Sequence, residues 1–169
     1  MSDRSTRHDS FVIDRIFPVP VQRVYEAWAQ RDAKERWFKG PNEWTLLERE
    51  FDFRIGGRET LVGKWLDGRT SAFECRYSDI VPNERIIYSY EMRMNDVLIS
   101  VSLATVTLRP TREGTRFKFC EQAAYLDAFD EAGSRERGTA ALLDNLSQAL
   151  TGVAPERDPR RAAAGRRYS

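Results

Sequence analysis

Between Trp44 and Ala124 the sequence offers six strand-like runs in succession, each ended by a turn signal. This feature constrains the fold more than any other, because short strands joined by tight turns pair antiparallel as a meander. The runs are Trp44 to Phe53, Arg58 to Trp65, Ser71 to Val81, Arg85 to Met94, Val97 to Arg109 and Thr115 to Ala124. Gly56-Gly57, Asp67-Gly68, Pro82-Asn83, Asn95-Asp96 and Pro110 to Gly114 separate them. Alternation assigns an inward face to each run. It holds Leu47, Arg49, Phe51 and Phe53, then Leu61 and Trp65, then Phe73, Cys75 and Tyr77. Ile86, Tyr88, Tyr90 and Met92 follow, then Val97, Ile99, Val101 and Leu103, and finally Phe117 and Phe119.

Helical signals flank the meander. Ser10 to Phe17 reads as a first strand, broken by Pro18 and Pro20. Val21, Val24, Tyr25 and Trp28 then fall at helical spacing. A second short helix is expected from an Asp32 N-cap, ending at Trp37-Phe38 before Gly40-Pro41. Tyr125 to Glu136 lacks apolar periodicity and reads as a loop. Arg137 to Leu150 reads as a long helix with Leu142, Leu143, Leu146, Ala149 and Leu150 on one face. The order is strand, two short helices, six strands, long helix. The apolar helix stripe and the inner sheet face must cover one another. The expectation is an α+β domain, with a curved antiparallel sheet of about six to seven strands wrapped around the C-terminal helix.

A length of 169 residues fits one domain over residues 10–152. Residues 1–9 read as a disordered lead, and residues 153–169 as an Arg-rich disordered tail. The net charge of +1 excludes a strong overall field toward nucleic acid. The tail sets Arg157, Arg160, Arg161, Arg166 and Arg167 against Glu156 and Asp158, with no interleaved aromatic for base stacking. No apolar run approaches the ~18 residues of a membrane-spanning helix, and no signal peptide opens the chain. Cys75 and Cys120 read as reduced thiols, which suits the cytoplasm. Arg outnumbers Lys 23 to 4, a bias associated with GC-rich bacteria. The sequence is compatible with a homodimer and does not specify one.

The sole histidine is His8, in the N-terminal lead. Ser-His-Asp and Cys-His catalysis and His-rich zinc sites are thereby excluded. No cofactor or metal motif is present, and Gly56-Gly57 lacks the context of a phosphate loop. Asp127, Asp130, Glu131 and Glu136 crowd one loop, where solvation or helix capping accounts for them better than acid–base work.

Several motifs, in order and spacing, resemble the helix-grip superfamily of START domains, plant pathogenesis-related proteins and polyketide cyclases. The nearest resemblance is to the group named after the activator of the heat-shock protein 90 ATPase. PVPVQRVYEAW (18–28), DAKERWFKGP (32–41), EFDFRIGGR (50–58), KWLDGRTSAFECRYSDIVPNERIIYSY (64–90) and EGTRFKF (113–119) carry it. The resemblance implies the helix-grip fold and an internal cavity for a small hydrophobic or amphipathic molecule. It carries no catalytic signature. Many members place Gly-Trp early in the last helix. Here the pair is Gly138-Thr139, which implies a different or roomier pocket.

The expected lining comprises Trp37, Phe38 and Trp44, either cavity wall or core, then Arg49 and Phe51. It continues with Phe73, Tyr77, Tyr88, Tyr90, Met92, Ile99, Val101, Phe117 and Phe119. Thr139, Leu142, Leu143 and Leu146 complete it from the helix. An inward Arg49 needs an anion, from a protein carboxylate or a ligand. Tyr88 and Tyr90 need hydrogen-bond partners. The all-aliphatic helix face is expected to serve as a lid, with polar groups coming only from the opposite wall. Two other functions fit the scaffold: a cyclase- or dehydratase-type enzyme using Tyr88 or Tyr90, and a chaperone ATPase modulator. In eukaryotic activators a separate N-terminal domain contributes to chaperone binding, and no such domain is visible in this sequence.

Overall fold

The computed structural model describes residues 4–129 and 132–152. The expectations placed on residues 1–3, Asp130, Glu131 and the tail 153–169 lie outside the described residues. Strand β1 (Thr6–Phe17) is followed by helices α1 (Val21–Ala29) and α2 (Arg31–Glu35). Six strands come next: β2 (Thr45–Phe51), β3 (Arg58–Lys64), β4 (Thr70–Val81), β5 (Arg85–Met94), β6 (Val97–Thr111) and β7 (Gly114–Leu126). Helix α3 (Ala132–Thr151) ends the described chain.

The seven strands form one antiparallel sheet in the order β1-β7-β6-β5-β4-β3-β2. Consecutive hairpins build β2 to β7, and β1 closes onto β7. The hairpins use the turn chemistry the sequence announces. Gly68 has φ 89°, and Asn95 and Asp96 have φ 48° and 65°. Such left-handed pairs match the twist of the flanking strands. The sheet curves around the helices, with α3 against β1 and α1. Val24, Trp28, Leu143, Leu146 and Leu150 are buried with the inner sheet residues in one core. Arg15 of β1 donates to Asp144 of α3 at 2.7 Å, and Arg23 of α1 donates to the Leu150 carbonyl at 3.1 Å.

Several boundaries and one face differ from the sequence expectation. β1 begins at Thr6, because Thr6 to Asp9 pair with Ala123 to Leu126. β2 ends at Phe51, and Leu46 and Leu47 are exposed. The N-cap of α2 is Gln30, two residues before the expected Asp32, and it makes no side-chain cap. α3 begins five residues before Arg137, so most of the expected loop is strand or helix.

The inward face of β6 is the main correction. The ladder with β5 slips between Met92 and Arg93, and Ile99 is the extra residue of a bulge. A one-residue shift exchanges the faces of a strand. Ile99 and Ser100 are both buried, and beyond them Ser102, Ala104 and Val106 point inward. Val101 and Leu103 are 41% and 43% exposed on the outside. Cys75 and Cys120 are both free. No helix among the described residues is long and apolar enough to cross a membrane.

Candidate functional site: a tryptophan-walled cavity with two buried ion pairs

The sheet register assembles the inner wall in rungs. One runs Leu61, Phe73, Met92, Ser100, Tyr125 across β3 to β7. The next runs Glu59, Cys75, Tyr90, Ser102, Ala123, and the third Tyr77, Tyr88, Ala104, Glu121 across β4 to β7. The small residues Ser100 and Ser102 on β6 leave room that Arg135 of α3 enters. A cavity of about 610 Å³ lies between β3–β5 and β7 on one side and α2, the Lys39–Pro41 segment and α3 on the other.

Eleven of the expected residues line this cavity. They are Trp37, Phe38 and Trp44, then Phe73, Tyr88, Tyr90, Met92 and Phe119, with Thr139, Leu142 and Leu143 from α3. Seven do not. Arg49 stands at the sheet edge, where it donates to the Phe38 carbonyl at 2.8 Å and lies 3.8 Å from Glu35. Its anion is therefore supplied by the protein. Burial lowers its pKa from the usual arginine value. Phe51 stacks on Phe53 at the same edge, with ring centroids 6.1 Å apart. Tyr77 is buried beside Glu59, and Ile99 is taken up by the bulge. Val101 faces outward. Phe117 packs between Phe17 and Trp28, and Leu146 is in the core.

Sequence reasoning missed Trp28 and Trp65 in the wall. All four tryptophans of the chain therefore line the one cavity. Trp44 owes its place to two glycines. A Cβ on Gly63 would fall 1.8 Å from the indole, and one on Gly40 2.4 Å from it. The indole nitrogen donates to Ser71 Oγ at 3.1 Å.

Two charged groups in the wall were also missed, and each is held by a buried tyrosine–glutamate pair. Lys34 of α2 is 3% exposed and donates to Glu59 Oε1 at 3.0 Å. The Tyr77 hydroxyl donates to the same oxygen at 2.5 Å. The ammonium sits 4.6 Å from the Trp28 ring and 4.8 Å from Phe38, close enough for cation–π attraction. Across the sheet, the Tyr90 hydroxyl donates to Glu121 Oε1 at 2.5 Å. Arg135 of α3 donates to Tyr90 Oη at 3.0 Å and to Ser100 Oγ at 2.7 Å, and lies 3.8 Å from Glu121 Oε2. The helix is thus not a purely aliphatic lid, because its second turn sends a guanidinium into the cavity wall. The signal was present in the sequence. Glu59 and Glu121 share parity with Leu61 and Phe119, and an inward carboxylate demands a buried cation as surely as an inward arginine demands an anion.

Tyr88 stands between the two systems, with ring centroids 5.9 Å from Tyr77 and 6.0 Å from Tyr90. It is 7% exposed and lines the cavity, and its hydroxyl has no hydrogen-bond partner among the described residues. Burial raises the pKa of Tyr77, Tyr88 and Tyr90 above the usual phenol value, with the neighbouring carboxylates adding to it. These phenols remain protonated near neutrality and act as hydrogen-bond donors, so none is poised as a general base. Of the loop carboxylates, Asp127 is engaged by the Ser5 amide and Arg4 on the exterior. Among the described residues no cluster of His, Cys, Asp and Glu side chains forms that could hold a metal ion.

The family profile described as activator of Hsp90 ATPase homolog 1-like protein matches residues 18–151. Among solved structures, an uncharacterised protein from Rhizobium leguminosarum is similar to this chain at 41% identity and a TM-score of 0.84, over 89% of this chain and 99% of that one. The protein Mll3558 from Rhizobium loti shows 37% identity and a TM-score of 0.80, over 86% and 99%. The protein CV1439 from Chromobacterium violaceum shows 28% and 0.65, over 87% and 98%. No curated protein matches the chain.

Proposed function

This chain belongs to the family of activator of Hsp90 ATPase homolog 1-like proteins, and we propose that it uses the fold to bind a small hydrophobic or amphipathic molecule between the sheet and α3. The observation that carries the reading is the convergence of all four tryptophans on one cavity of about 610 Å³. That volume lies within the roughly 300–1,000 Å³ of small-molecule sites, which are walled by apolar and aromatic side chains with a few polar groups. A core that served stability alone would fill such a space with side chains. The high phenol pKa values weigh against acid–base catalysis by Tyr88 or Tyr90. The two free cysteines suit a cytoplasmic protein.

Thr139 supplies the test. It lines the cavity from α3 and is half-buried. Thr139→Trp should fold and fill part of the space. Calorimetric titration with 2-isopropylnaphthalene should show one-to-one binding to the parent protein and at least tenfold weaker binding to the variant. Equal binding by both proteins would place the ligand elsewhere.

A further inference from the structure

We propose that the cavity selects an uncharged ligand whose apolar body carries a hydrogen-bond acceptor, such as a ketone or ester carbonyl, and that Tyr88 is the donor that reads it. The inference rests on the binding function proposed above and specifies its ligand class.

The argument is one of matching. A buried polar group without a partner costs more than the net gain of an ordinary hydrogen bond, so a ligand that supplies the missing partner is favoured over one that does not. The Tyr88 residue lines the cavity, and no hydrogen bond to its hydroxyl is formed among the described residues. The indole N–H groups of Trp28 and Trp65 are also unmatched donors, although both nitrogens are buried within the wall. Trp37 and Trp44 are already satisfied, by the Ala27 carbonyl at 2.8 Å and by Ser71. The unmatched acceptor Glu59 Oε2 belongs to a residue outside the lining. Each unmatched group of the described lining can donate, and an acceptor on the ligand is what Tyr88 can meet.

Charge points the same way. Lys34 is neutralised by Glu59, and Arg135 lies beside Glu121 with its guanidinium also engaged by Tyr90 and Ser100. Lys39, the remaining cation of the described lining, is exposed. Among the described residues no carboxylate lines the cavity. A carboxylate ligand would lose its hydration without gaining an uncompensated cation, and an ammonium ligand would meet no free anion.

Three probes of one shape separate the terms: 2-isopropylnaphthalene, 2-acetonaphthone and 2-naphthoate. The ketone should bind the parent protein about tenfold tighter than the hydrocarbon, the value of one added hydrogen bond. The naphthoate should bind at least tenfold weaker than the ketone. Tyr88→Phe should lose the ketone preference, binding ketone and hydrocarbon within about twofold of one another. Independently of any variant, the carbonyl stretch of the bound ketone should lie below its position in hexane, as a hydrogen-bonded carbonyl does. Hydrocarbon and ketone binding equally, naphthoate binding tightest, an undiminished ketone preference in Tyr88→Phe, or an unshifted carbonyl band would each overturn the inference while leaving a binding cavity. If none of the three binds, the binding function itself is wrong and the inference fails with it.

Discussion

Lys34 illustrates how much one side chain can commit in this domain. Its ammonium is 3% exposed, and its bond to Glu59 is shared with Tyr77. A buried pair need not outperform an apolar replacement, but removing one partner leaves the other charge buried and uncompensated. Lys34→Met should therefore destabilise the protein by about 3–5 kcal/mol in urea unfolding. The double variant Lys34→Met, Glu59→Leu should recover much of that loss. If Lys34→Met alone is neutral, Glu59 is not held as a charge and the geometry described for this corner is wrong. The same rule separates Tyr88 from its neighbours, since Tyr77 and Tyr90 have carboxylate partners.

At the scale of elements, α3 joins two kinds of packing. Leu143, Leu146 and Leu150 bury an apolar stripe, whereas the first turns are held by Arg135 reaching Ser100, Tyr90 and the vicinity of Glu121. Arg135→Met should leave the second half of the helix intact and speed amide exchange in residues 134–139, as local opening follows the contacts of each segment. Uniform protection along α3 in the variant would show that the arginine anchors nothing. The same division explains what the sequence made legible. The stripe from Leu142 to Leu150 has the helical period, so that half was readable. Gly133, Ser134, Arg135 and Gly138 have none, because this part of the helix meets polar partners. The turns at Asp67-Gly68 and Asn95-Asp96 were readable because their chemistry is local. The β6 face was not, because the slip at Ile99 is set by pairing with β5, and the truly inward Ser100 and Ser102 look like surface residues. The aromatic half of the cavity was therefore visible in the sequence, and the charged half appears only once two strands and two helices are brought together.

The whole molecule buries several weak acids on the inner face of one sheet. Burial pushes the Cys75 thiol up to about 12 and raises the phenols of Tyr77, Tyr88 and Tyr90. In the unfolded chain these groups ionise near about 8.5 for cysteine and 10 for tyrosine. Between the unfolded and folded values the native state binds more protons, so stability falls as pH rises. The contribution is complete below about pH 8 and is lost progressively above it, by at most about 1.4 kcal/mol per pH unit for each group. Alkaline titration followed by tyrosinate absorbance should show Tyr77, Tyr88 and Tyr90 ionising only together with unfolding. Smooth ionisation of every tyrosine near pH 10 in a folded protein would mean that the three are not buried.

The cavity gives the most direct measurement of the central claim, because every tryptophan of the chain lines it. Titration with 2-acetonaphthone should quench the intrinsic tryptophan emission saturably, with an endpoint at one ligand per chain. Quenching that grows linearly with ligand and never saturates, as free collision produces, would contradict a binding cavity between the sheet and α3.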